Sequence, residues 1–332
     1  MSHILSPRIS SPLPSFPHLS KLFFIMNDMN TLPPPPWGRL AIEQYFIINW
    51  NCSSSETPDQ HRKRLVTEFL DEESLPYEWT EDWDSLPKGV DRPREPTTEE
   101  IDTILRPYRS DLLRWHAMTM FYDKTCPALL RTHYSADEEE RARHDDLMAH
   151  WITGDPFEAE AWWAVLDNAD LFNFGSEWRR VYEILPEVAG PLNPSVDDRL
   201  RIQRACDGEY LDCLRSRLKT QLAEAKEDLE AWRKDRDAIV DSCARGLQKY
   251  ATMTYLIIAD EEAFRSGTLL VLYLDGFRNI IRESRMDPVD DDIFNVIGIW
   301  METDEFPQSS TVGEKYRASA ELGRELYQLT DE

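Results

Sequence analysis

The sequence predicts an α+β fold that is predominantly α-helical. One very long amphipathic helix over about 195–250 packs with shorter helices, and a small C-terminal antiparallel β-sheet with a hairpin completes it. Three observations lead there. Apolar residues recur at steps of three and four from Leu211 to Tyr250, the spacing of one helix face. The only clear strand patterns follow at 253–259, 268–274 and 280–286. Finally, nine of the eleven tryptophans fall in residues 37–178, among short segments with helical periodicity. The divisions are a disordered leader (1–32), a tryptophan-rich helical region (33–194), the long organising helix (195–250), and a small sheet with two closing helices (251–332). Residues 33–332 are expected to form one cooperative unit.

Residues 1–26 hold two basic residues, no acids and four prolines. Such a composition leaves an N-terminal transit peptide open, although proline breaks the amphipathic helix that a transit peptide needs. Met26 offers a second translation start beside Met1. Pro33-Pro34-Pro35-Pro36-Trp37 reads as a stiff polyproline lead-in, and Leu40–Trp50 as a buried helix or strand. Thr57–Leu70 reads as a helix with Pro58 in its first turn. Residues 74–96 form a long connection packed by its aromatics. Thr97 with Glu100 has the form of a capping box, and Tyr108, Leu112, Trp115, Thr119 and Tyr122 continue the helical spacing. Ser135-Ala136-Asp137-Glu138 opens a helix to about Trp151. Asp155-Pro156-Phe157-Glu158 opens another, carrying Trp162, Trp163 and Leu166, and Ser176–Leu185 is one more.

Ser195 caps the long element. Leu214, Leu218 and Leu222 are separated by two successive steps of four, a stutter in an otherwise heptad-like stripe. Unbroken, 55 residues would span about 80 Å, longer than the roughly 50 Å diameter of a compact chain of this length. That excess predicts an elongated molecule or an arm that pairs with another chain. Beyond it, Asp260–Gly267 reads as one or two helical turns ended by glycine. Asp275-Gly276 supplies a hairpin turn, Asp290–Met301 a helix and Val312–Leu329 the last helix.

Trp178-Arg179-Arg180-Val181-Tyr182, Leu269–Arg285 and Gly313-Glu314-Lys315-Tyr316-Arg317 resemble stretches of an uncharacterised family of filamentous-fungal proteins with no assigned function. The resemblance extends over most of the chain after Trp79 and implies no activity.

The net charge of −25 is uneven: +2 over 1–26, −17 over 27–194, 0 over 195–250 and −10 over 251–332. A nucleic acid is disfavoured as a partner, because affinity for it comes largely from Lys and Arg neutralising phosphates. Apolar runs such as Leu269–Leu274 are far shorter than the ~20 residues of a membrane span, so no membrane partner is expected. Five cysteines without a Cys-x-x-Cys pair fit a reducing compartment, cytoplasmic or nuclear.

All seven histidines lie at or before His150, and no nucleophile elbow, P-loop or dinucleotide glycine pattern occurs. The candidate catalytic residues are therefore His116 or His133 as acid or base, with Cys126 as a nucleophile, although a buried structural thiol explains Cys126 as well. Glu140/His144 and Asp146/His150 each share a helix face but lack the paired Glu-x-x-His of di-iron bundles. Asp291-Asp292-Ile293-Phe294-Asn295 has the form of a magnesium–diphosphate motif, and equally of an acidic helix N-terminus. No cofactor and no metal is expected. The function expected is non-enzymatic: a soluble protein making contacts through its helical surface, with a protein partner or as a homodimer. The alternative is an enzyme with a motif-less acid/base site within residues 97–178.

Overall fold

The computed structural model describes residues 35–72, 75–80, 86–122, 128–153, 164–189, 208–288, 306–307 and 309–329. Its centre is a six-stranded mixed sheet in the order β2-β1-β3-β4-β5-β6. The strands are β1 (Ala128–Arg131), β2 (Ala164–Leu166), β3 (Thr254–Ala259), β4 (Leu269–Leu274), β5 (Ile280–Met286) and β6 (Thr311–Val312). β1 is parallel to both β2 and β3, while β3, β4, β5 and β6 pair antiparallel in sequence.

This corrects the expected small antiparallel sheet confined to the C-terminus, because two of the strands come from the tryptophan-rich region read as helical. The physical reason is their length. Ala128-Leu129-Leu130-Arg131 is buried at every position, and a short apolar run buried on both faces has no alternation to separate it from a helix. Leu166, assigned by its spacing to a helix, lies on β2.

Helices cover both faces. The first face packs against α1 (Ala41–Asn49), α2 (Pro58–Asp71) and α3 (Asp111–Tyr122). Leu130, Leu256, Ile258 and Leu272 from the sheet meet Phe46, Leu65, Phe69 and Leu113 there. α2 starts as expected, with Thr57 and Gln60 closing a reciprocal capping box and Pro58 in the first turn. The same box forms between Thr97 and Glu100, after which the chain makes a π-helical turn over Ile101–Leu105. α4 (Glu138–Thr153) lies on the opposite face, where Leu129, Ile257, Val271 and Tyr273 meet Met148 and Trp151. Two short helices, α5 (Ala169–Phe172) and α6 (Val181–Ile184), follow β2. Each fully buried Leu, Ile or Phe side chain stabilises the fold by about 1.5–3 kcal/mol relative to exposure.

The expected long helix is also overturned. Its described part is three helices, α7 (Gly208–Ala225), α8 (Leu229–Cys243) and α9 (Arg245–Ala251). At the break Asp228 leaves helical geometry (φ −92°, ψ 85°), and its carboxylate accepts the Ala231 N–H, capping α8. A second irregularity sits at Asp235 inside α8. α7 and α8 fold back on each other, so Leu218, Leu222, Val240 and Leu247 form a third core with Ile281, Tyr316, Leu326 and Tyr327. Most of the stripe is therefore internal, and among the described residues no over-long arm is left for a partner. Leu222 is 9% exposed and Leu229 57%. We expect Leu222→Ala to cost about 2 kcal/mol or more in urea denaturation and Leu229→Ala less than about 0.5. Equal losses would contradict the hairpin.

Downstream, α10 (Glu261–Ser266) is capped by Asp260, and Gly267 closes it in the left-handed region at φ 79°, where glycine carries no Cβ penalty. The hairpin between β4 and β5 forms as expected, but its left-handed residue is Arg278 (φ 64°) and not Gly276. The Asp275 carboxylate holds the turn by accepting the N–H groups of Phe277 and Asn279, each at 2.8 Å. The last predicted helix shortens to a 3-10 turn, Glu314–Tyr316, and α11 (Glu321–Tyr327). The leader 1–32, the Asp155-Pro156 start and the Asp290–Met301 helix lie outside the described residues. No described helix is long and apolar enough to cross a membrane.

Candidate functional site

The chain leaves β1 through α4 toward β2, and leaves β3 through α10 toward β4. Both connections pass over the same sheet face, where Phe264 of α10 stacks on His144 of α4. In open α/β sheets the region outside the carboxyl ends of parallel strands is the usual place for a ligand. Here those ends carry Arg131, Thr132 and His133 beside Ala259 and Asp260, and the Thr132 N–H donates to the Ala259 carbonyl at 3.0 Å.

Arg131 ends β1 and is 2% exposed. Its Nη1 donates to Asp145 at 2.6 Å and more weakly to Asp167 at 3.3 Å, and its Nε donates to the His133 carbonyl at 3.1 Å. Its guanidinium lies 4.4 Å from the ring centroid of Tyr134 and 5.2 Å from that of Phe264. One buried cation thus ties the ends of β1 and β2 to α4 and α10. Tyr134 donates to Asp167 at 2.9 Å, and burial together with that carboxylate raises its phenol pKa.

Next to the guanidinium, His144 of α4 stacks on Phe264 at 4.2 Å, with Trp151 also parallel to Phe264 at 5.5 Å. The His133 and His144 rings are 5.6 Å apart. Burial lowers the His144 pKa against the opposing pull of Glu140, so the ring is neutral at pH 7 and able to donate from one nitrogen and accept at the other.

Three buried polar atoms around this strand end have no hydrogen-bond partner: Arg131 Nη2, Thr132 Oγ1 and His144 Nδ1. Leu129 packs in the core on the α4 side and Leu130 in the core on the opposite side, so alternation puts Arg131 and Thr132 on opposite faces of the strand end. Arg131 Nη2 and His144 Nδ1 therefore share the α4 side, whereas Thr132 Oγ1 lies on the other; six further buried polar atoms elsewhere, Arg114 Nη1 and Nη2 among them, are likewise unpartnered. Leaving a buried donor or acceptor unpaired costs about 1–3 kcal/mol.

The expected candidates are separated by this geometry. His133 belongs to the cluster. His116 lies on α3, 7% exposed, with its ring edge-on to Phe172 at 6.1 Å. Phe172 belongs to the core on the other sheet face, and among the described residues no carboxylate bonds to His116. Desolvation pushes its pKa down to about 4. Cys126 lies outside the described residues, as do Asp291–Asn295. Glu140 accepts from the Ser135 hydroxyl and does not share a ligand with His144, while Asp146 and His150 are both exposed. No group of three metal-ligating side chains occurs among the described residues.

Arg131, Asp145, Asp167 and Phe264 are not evident from sequence spacing. The usable signal was an arginine closing an apolar run, with Asp167-Asn168 closing another. Comparison with known proteins finds no matching family model, curated relative or solved structure.

Proposed function

We propose that this protein binds a small polar ligand at the carboxyl ends of β1 and β3. The ligand would offer an acceptor to Arg131 and a hydrogen-bonding partner to His144. The observation that carries this reading is the pair of unpartnered buried polar atoms, Arg131 Nη2 and His144 Nδ1, on one side of the carboxyl ends of two adjacent parallel strands. A binding site accepts such a local cost because its groups are satisfied only when occupied. The protein-contact role expected from an over-long helix loses that basis, since α7 and α8 fold back into a core. An acid/base enzyme is the second reading, favoured by the two histidine rings 5.6 Å apart beside the carboxylates that hold Arg131.

The test separates stability from binding. Thr132→Val removes Oγ1 at constant volume, and His144→Leu removes Nδ1. Thr132→Val should stabilise the ligand-free protein by about 1 kcal/mol, the cost of the orphaned hydroxyl. A thermal-shift screen of a small-metabolite library on the wild type should yield compounds whose shift is lost in His144→Leu and kept in Thr132→Val, whose change lies on the other face. No hits, or hits that act equally on the wild type and a folded His144→Leu protein, would sink the assignment.

The stretches that resemble the filamentous-fungal family support no activity. Trp178, Val181 and Tyr182 are buried core residues, and Leu269–Arg285 spans the β4–β5 hairpin. A Cβ on Gly313 would lie 1.9 Å from the Ile280 carbonyl oxygen, so glycine is needed there for close approach of backbones.

A further inference from the structure

On the sheet face away from Arg131, a cavity of about 320 Å³ opens between α3, α5 and α6. That size falls at the lower end of small-molecule sites. Its apolar surface comes from Tyr108, Leu113, Leu171, Phe174 and Ile184. Behind Tyr108 lies the buried Arg109–Glu187 pair, whose guanidinium packs 4.9 Å from the Tyr108 ring centroid, so this wall is rigid.

Three charged side chains join the lining: Asp170, Arg180 and Glu183. Glu183 is engaged by Lys63 at 3.1 Å. Arg180 is held only by Phe174, with its guanidinium 5.2 Å from the ring centroid, and it forms no ion pair among the described residues. Nor does the Asp170 carboxylate. What the lining leaves uncompensated is therefore one cation and one anion over an apolar floor. Polyanions are disfavoured by the two carboxylates on the same lining, and a purely apolar molecule would leave both charges unused.

We infer that this cavity binds an α-amino acid with an aliphatic or aromatic side chain. Its carboxylate lies on Arg180, its ammonium on Asp170, and its side chain on the apolar floor. Arg180 and Asp170 are both exposed, so water screens each contact and the affinity is modest, with a dissociation constant on the order of 1 mM. The inference does not rest on the strand-end cluster around Arg131. The two places lie on opposite faces of the sheet, and a null result in one leaves the other standing.

Titration calorimetry on the full chain with L-leucine and L-phenylalanine, up to about 10 mM, tests it, with the N-acetyl and carboxamide derivatives as comparisons. Both zwitterions should bind, and blocking either end should weaken binding at least about tenfold, or 1.4 kcal/mol. In Arg180→Gln the carboxamide should bind as well as the free acid, and in Asp170→Asn the N-acetyl form should bind as well as the free amine. Leu171→Trp should fill the cavity and remove binding of all four. No heat with either amino acid, equal binding of the blocked derivatives, or undiminished binding by a folded Leu171→Trp protein would overturn the assignment. Should Leu171→Trp not fold by circular dichroism, the two exposed charge variants still decide it.

Discussion

Replacing Glu187 with alanine is expected to cost about 3–5 kcal/mol of folding stability, the range for breaking a buried ion pair from one side. Arg109 donates from Nη1 at 2.9 Å and from Nη2 at 2.7 Å to the two oxygens of Glu187, and the side chains are 1% and 5% exposed. Removal of the carboxylate leaves a guanidinium with no route to water, and its Nε is already unpartnered. Burial alone pulls the guanidinium pKa down, and the adjacent carboxylate more than restores it. The double variant Arg109→Leu/Glu187→Leu should recover much of the loss, because the desolvation cost vanishes with the charges. On the surface, Glu68→Ala breaks the exposed Arg64–Glu68 pair and should change stability by less than about 0.5 kcal/mol. Urea denaturation of the four proteins reads this directly. A loss below about 1 kcal/mol for Glu187→Ala would show that the site relaxes or admits water.

Acid should destabilise the protein through His116. Desolvation lowers its folded-state pKa to about 4, against about 6.5 in the unfolded chain. Between these values the unfolded state binds a proton that the folded state refuses, so stability rises with pH across the window. The contribution is fully present above about pH 6.5 and is lost as pH falls toward 4, a total of about 3 kcal/mol. His116→Met keeps an apolar group of similar volume against Phe172 and should flatten stability between pH 4 and 6.5 by about that amount. A slope unchanged from wild type would place the titrating group elsewhere, with His144, also shifted downward by burial, the next to replace.

What could be read from the sequence was local. The capping boxes of Thr57 with Gln60 and Thr97 with Glu100 are each set within one helical turn, and both form. Strands β3, β4 and β5 announce themselves by β-branched and apolar runs between turn residues, and the Asp275 hairpin joins neighbours. The misread parts were decided at a distance. β1 and β2 are too short to show a period; β1 is a strand because β3 offers it a parallel edge, and β2 because β1 then offers the next. Asp228 looked like one more acid on a solvated helix face; only the packing of Leu222 against the third core makes it a cap and a turn. Arg131 is informative only once Asp145, Asp167 and Phe264 converge on it from three later segments. Arg109 and Glu187 are 78 positions apart, and neither residue type suggests burial.

The order of strands in the sheet has a consequence for how the molecule is made. Ala128 pairs with Leu256, 128 positions downstream, whereas β4 and β5 are joined by a tight turn. The hairpin closes a small loop and assembles on the microsecond scale, but the β1–β3 ladder must wait for a large loop to close, which slows folding. During synthesis the apolar β1 is complete while its central neighbour is still untranslated, so the N-terminal half emerges with an unpaired strand edge. The Arg131 cluster lies at the end of β1 and takes Phe264 from α10, which follows β3, so it is complete only once β3 has docked and is among the last parts of the fold to form.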